Sequence, residues 1–124
     1  MISNLWRKNC NTFSRVWKNR IQNELFQERN LLSTIIDNLP DHIFVKNAKL
    51  EYVAANIALL KAQDFESFEE MKGKNDYQLF PEYRAYKFVK DDTNIIKTGQ
   101  PLINSRESVL CQDGVERWYL TTKV

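Results

Sequence analysis

The apolar residues Ile2, Trp6, Cys10, Phe13, Trp17 and Ile21 recur in steps of three and four. That spacing places them on one stripe, about 100° wide, of an α-helix. Leu25, Leu32, Ile35 and Ile36 continue the stripe with some drift. Neither proline nor glycine intervenes before Pro40, so one helix, or two with a break, is predicted from about residue 3 to residue 37. Such a stripe cannot be buried on its own helix and requires a partner surface.

The pattern changes at Asn38-Leu39-Pro40-Asp41, because proline disfavours helix in the residue before it. His42 to Lys46 reads as a strand, Asn47-Ala48-Lys49 as a turn, and Leu50 to Ala55 as a second strand. Asn56 stands where an N-cap is needed ahead of a helix from Ile57 to Gln63. Ser67 to Lys72 is predicted as another short helix with Gly73 as its stop. Asn75 or Asp76 can cap a further turn, Tyr77 to Phe80, and Pro81 suits the first position of the longest internal helix. That helix should end at Thr98-Gly99-Gln100-Pro101. Leu102 to Cys111 and Glu116 to Val124 are extended, and the intervening Gln112-Asp113-Gly114-Val115 favours a tight hairpin.

With 124 residues, 43% hydrophobic and 27% charged, the chain has room for one modest folded domain. The net charge of +2 is unevenly spread: Arg7, Lys8, Arg15, Lys18 and Arg20 fall before Gln22, with no acidic residue among them. Cys10 and Cys111 are far apart and have no histidine beside them, which reads as two reduced thiols and no metal site. No apolar run is long enough for a membrane span or a signal peptide, so a cytoplasmic location is expected. Catalysis is disfavoured: the single histidine, His42, has no spaced nucleophile, three glycines make no phosphate loop, and Asp91-Asp92 reads as a solvated helix face.

Five strings in order carry a family resemblance: Asn38 to Lys46 (NLPD followed by IFVK), Asn56, Gly73 to Pro81 (GKNDYQLFP), Thr98 to Asn104 (TGQPLIN) and Asp113 to Val124 (DGVERWYLTTKV). The sequence from about Leu31 resembles the bacterial sensory-box PAS domains. This implies an α+β fold, a PAS-like antiparallel sheet with short helices on one face, here preceded by the long amphipathic helix. The expected division is 1–37 for the signalling and dimerisation helix and 38–124 for the PAS domain. Leu50 stands where many members have a turn glycine, and is expected to alter the first hairpin's turn. In the family a final strand lies between the first strand and the penultimate one. The chain stops before it, so the gap is expected to be closed directly, opened to water, or met by a neighbouring molecule.

Strand alternation sets Phe44 and Lys46 on one face and Ile43 and Val45 on the other. The resemblance implies that the first face lines an internal cavity, with Asp76 opposite, Glu107 and Val109 beside it, and Tyr119 and Thr121 across. Buried singly, a lysine or carboxylate would cost several kcal/mol, so Lys46 should pair with Asp76 or Glu107, or these groups should grip a ligand. The outer face would carry Ile43, Val45, Leu110, Trp118 and Leu120, and would need a cover. Cofactors are not expected. Flavin-binding relatives form their photoadduct through a cysteine where this chain has Asp76, and the haem-binding ones take a histidine from the long helix, which has none between Pro81 and Thr98.

The resemblance implies a sensory module that binds a small molecule or a protein partner, forms a homodimer through Trp6, Phe13, Trp17 and Ile21, and serves an output domain. Histidine kinases of two-component systems and diguanylate cyclases are the expected parents. A purely structural dimerising PAS domain is the alternative. The basic, aromatic N-terminal helix would also suit attachment to a membrane surface. Nucleic-acid binding is not expected, since no DNA-reading motif accompanies the basic residues.

Overall fold

The computed structural model describes residues 2–111 and 113–124, with side chains from residue 12 onward. It consists of two units, Met1–Ile43 with Asn56–Asp64, and Phe44–Ala55 with Phe65–Val124.

In the first unit the heptad-like pattern produces a single helix, α1 (Ile2–Asp37), without the break that the drifting stripe allowed. Its end is built by side chains. Asn38 Nδ2 donates to the Thr34 carbonyl at 2.7 Å, and Pro40 follows. Asn56 then serves two helices together. Its Oδ1 accepts the N–H of Leu59 at 3.1 Å, capping α2 (Ile57–Ala62), and also the N–H of Ile43 at 3.0 Å. Its Nδ2 donates to the carbonyls of Ile36 and Asp41, each at 2.8 Å. Donors at a helix start and acceptors at a helix end are the groups that a helix cannot satisfy itself. One fully buried amide satisfies both kinds, and Asp37 Oδ1 adds a further acceptor for the Ile57 N–H at 3.0 Å.

The second unit begins with the antiparallel pair β1 (Phe44–Lys46) and β2 (Tyr52–Ala55). β1 is shorter than expected: His42 and Ile43 precede it, and Ile43 belongs to the first unit. Leu50 itself adopts φ +63°, a left-handed conformation that costs a side-chain-bearing residue about 1 to 2 kcal/mol. Asn47 offsets it, its Oδ1 accepting the N–H groups of Lys49 and Glu51 at 2.9 and 3.1 Å. The other edge of β2 is covered by chain, since Tyr52 N–H reaches the Lys74 carbonyl and Gly73 N–H the Tyr52 carbonyl, both at 2.9 Å.

The helix expected over residues 67–72 contracts to one 3-10 turn, Phe68–Glu70. Glu70 Oε2 accepts the N–H groups of Glu66 and Ser67, and that early capping holds the turn tight. Asn75 proves to be the cap of α3 (Asp76–Leu79). Pro81 is the N-cap of α4 (Glu82–Thr98), one position earlier than predicted, and Gly99 ends the helix at φ +66°. β3 (Leu102–Leu110) and β4 (Glu116–Lys123) form a long hairpin. Gln112 in its turn lies outside the described residues; Asp113 Oδ1 accepts the Val115 N–H at 3.0 Å.

The strands form two separate two-stranded sheets. Direct closure between β1 and β4 therefore does not occur among the described residues. Of the residues expected on the outer face, Val45, Leu110, Trp118 and Leu120 are exposed, whereas Ile43 lies before β1, half-buried in the first unit.

Replacing Asn56 tests this reading of the first unit. Asn56→Ala removes a cap and strands buried backbone groups, so a loss of about 3 kcal/mol is expected in urea unfolding. Asn56→Asp keeps the acceptors and should still lose at least half as much, because two carbonyls would then face a carboxylate.

Candidate functional site

The inner face of the second unit holds a charged cluster drawn from β1, β2, α3, α4 and β4. Strand alternation turns Lys46 of β1 and Lys123 of β4 inward. Asp76 opens α3, and Asp92 lies one helical turn beyond Phe88 on α4, in line with the buried Ala85. Lys46 Nζ donates to Asp76 Oδ2 and to Asp92 Oδ2, each at 2.6 Å. Lys123 Nζ donates to Asp92 Oδ1 at 2.9 Å. Tyr52 on β2 donates its hydroxyl to Asp76 Oδ1 at 2.7 Å.

Two lysines and two aspartates make the cluster electrically balanced, and it is nearly dry. Side-chain exposure is 7% for Lys46, 0% for Asp76, 10% for Asp92 and 9% for Lys123. Aromatic faces add to the cation binding: Lys46 Nζ lies 4.7 Å from the Tyr52 ring centre and 5.4 Å from that of Phe44, and Lys123 Nζ 5.5 Å from that of Phe88. The Tyr52 phenol is pushed far above its ordinary range, chiefly by burial and then by the charge of Asp76. It therefore stays a hydrogen-bond donor.

The expected pairing of Lys46 with Asp76 is present, but Glu107 does not join it. Glu107 Oε2 accepts from Thr121 Oγ1 at 2.9 Å, and Lys87 Nζ stands 3.7 Å from Oε1. That Oε1 atom is buried without a hydrogen bond among the described residues. Val109, Tyr119 and Thr121 do lie on the inward face, half-buried. The Tyr119 phenol is raised by burial and by the neighbouring Cys111. Asp92 is the main correction: it is no solvated residue but the acceptor for two lysines. Its phase with Ala85 and Phe88, at spacings of seven and four, marked it as inward, as the alternation Tyr119, Thr121, Lys123 marked the second lysine.

In the first unit, Phe13, Trp17 and Ile21 are exposed. The Phe13 and Trp17 rings stack with centres 6.2 Å apart, and the Arg20 guanidinium lies 5.9 Å from the Trp17 ring centre. The Trp6 side chain lies outside the described residues. No helix among the described residues is long and apolar enough to cross a membrane.

Comparison with known proteins matches residues 36–124 to the PAS fold family. A diguanylate cyclase of Vibrio cholerae serotype O1 is 27% identical over 107 residues, covering 85% of this chain and 33% of the relative. The chain thus spans about a third of that relative's length.

Two measurements check the electrostatics. Asp92→Ala strands two buried lysines and should cost about 3 to 5 kcal/mol, whereas Lys46→Met, which keeps the packed stem, should be less damaging than Lys46→Ala. Equal melting temperatures for wild type and Asp92→Ala would contradict the cluster. The second check uses alkali. Unfolded Tyr52 ionises near pH 10 while the folded phenol does not. The stability it contributes is complete below that pH and declines above it, by about 1.4 kcal/mol per pH unit. In urea titrations between about pH 10.5 and 12, Tyr52→Phe should show a slope shallower by that amount.

Proposed function

The chain belongs to the PAS fold family, and we propose that it is the sensory and regulatory module of a bacterial signal-transduction protein. In this reading the module is itself non-catalytic, works in the cytoplasm as a homodimer, and governs an output domain of the diguanylate cyclase kind. The observation that carries the reading is the match to a diguanylate cyclase over only a third of its length, in a chain whose matched region is a PAS fold. The interior chemistry supports it. Asp76 and Asp92 are both held by lysine, an arrangement suited to tying elements together and unsuited to proton transfer, which needs a carboxylate free to change its state.

For the input, a small molecule bearing an N–H or O–H donor would find its acceptor at Glu107 Oε1, a buried carboxylate oxygen without a hydrogen bond among the described residues. Thr121, Tyr119 and Val109 would flank it. A flavin adduct has no thiol to form on at Asp76, whose oxygens are engaged by Tyr52 and Lys46. A second reading has its own support: the complete pairing of the charged cluster suits a filled interior that serves dimerisation alone.

Native mass spectrometry of freshly purified full chain separates the two. The sensory reading expects a dimer carrying a small molecule that Glu107→Gln retains less well. A dimer of bare chains in wild type favours the purely structural module. In sedimentation, Phe13→Glu with Trp17→Glu should yield monomer, since a charge at an apolar helix seam is strongly unfavourable. A dimer surviving both changes would remove α1 from the interface.

A further inference from the structure

Along α1, two kinds of residue share the exposed stripe. Phe13, Trp17 and Ile21 are followed, in steps of three and four, by Glu24 and Glu28, and these in turn by Leu31 and Ile35. Phe13, Trp17, Leu31 and Ile35 are all exposed. The charges are sorted along the same axis. Residues 2–22 hold Arg7, Lys8, Arg15, Lys18 and Arg20 with no acidic residue, and residues 23–37 hold Glu24, Glu28 and Asp37 against Arg29 alone.

We infer that α1 pairs with α1 of a second copy in the antiparallel sense, crossing near Gln22. This orientation rests on the homodimer proposed above. In a parallel pair in register every residue faces its own copy, so Glu24 would meet Glu24 and Glu28 would meet Glu28 within the apolar seam. Like charges so placed repel, and burial strengthens the repulsion. Reversing one helix about Gln22 removes both conflicts. Glu24 then comes opposite Arg20, Glu28 opposite Val16 beside the basic stretch, and Leu31 opposite Phe13. Arg20 Nε already donates to Glu24 Oε1 at 3.1 Å within one helix. The same pair arriving reversed from the partner completes a square of alternating charge. The basic aromatic half of each helix thereby covers the acidic aliphatic half of the other.

The natural Cys10 and an introduced cysteine at the crossing point distinguish the orientations. At 1.5 Å per residue, the two Cys10 residues of an antiparallel pair are separated by roughly 36 Å along the axis, whereas in a parallel pair they are neighbours. The full chain is prepared as Cys111→Ser, which keeps Cys10, and as Cys10→Ser with Cys111→Ser and Ile21→Cys, Ile21 being the stripe residue nearest the crossing. Each is sedimented, then oxidised mildly and run on a non-reducing gel. The expected result is a dimer in both, with disulfide-linked dimer at least tenfold more abundant from the Ile21→Cys chain. A dimer that cross-links through Cys10 overturns the orientation and leaves the homodimer standing, and a dimer that cross-links through neither overturns it equally. A monomer in sedimentation overturns the homodimer as well. Monomer that also floats with phosphatidylglycerol vesicles assigns the basic half of α1 to a membrane surface instead.

Discussion

The carboxylate of Asp92 is the point on which the second unit depends. β1 and β4 belong to separate hairpins that share no backbone ladder, so the usual means of fixing strands to one another is absent between them. Asp92 supplies a different one. Its two oxygens take Lys46 from one hairpin and Lys123 from the other, and its place on α4 fixes both to the longest helix of the unit. A ladder distributes its energy over many neutral hydrogen bonds. A bridge through one carboxylate concentrates it in charge-assisted bonds, which are shorter and stronger singly, and it is lost all at once when the carboxylate is removed.

Burial makes that bridge conditional. Desolvating four charges costs several kcal/mol each, and the return depends on every lone pair and proton finding a partner. Here the requirement is met by adding Tyr52 to Asp76 and aromatic faces to both lysines. The first unit has a neutral counterpart in Asn56, which satisfies donors and acceptors of two helices with one amide. Both are high-stakes arrangements in a low-dielectric setting: complete, they specify one geometry, and incomplete, they are worse than apolar packing.

Much of this was legible in the sequence. The helices, their asparagine caps and the glycine stop of α4 follow from local chemistry, alternation put Phe44 and Lys46 on one face, and the resemblance to PAS domains implied that Glu107, Val109, Tyr119 and Thr121 share its cavity. What escaped was tertiary. Asp91-Asp92 looked solvated because two adjacent carboxylates usually are, yet adjacent helix positions point 100° apart, and only Asp92 shares the phase of Ala85 and Phe88. Glu107 takes Thr121 and Lys87 as its neighbours while Lys46 goes to Asp76 and Asp92, a choice of partners that strand periodicity does not contain. The left-handed conformation of Leu50 has a different origin. A residue's preference for negative φ is worth only about 1 to 2 kcal/mol, and the hydrogen bonds of Asn47 suffice to hold it in the disfavoured region.

For a sensory module these energetics have a mechanical meaning. A conformational change can be driven only by a difference in binding free energy between two states. A paired, balanced cluster resists small displacements, because moving one charge leaves another buried without its partner. On the proposed sensory reading the same property would make the response to a sufficient input abrupt: a ligand or partner that offered Lys46 or Lys123 an alternative acceptor would release one hairpin from Asp92, and that hairpin would lose a buried charged tie to α4. Lys87, half-exposed on α4, and the buried Glu107 are 3.7 Å apart, with no hydrogen bond at Oε1 among the described residues, a looser pair than the main cluster. An input arriving there would alter the field at α4 while the main cluster stayed intact, and so would bias the unit without first having to break it.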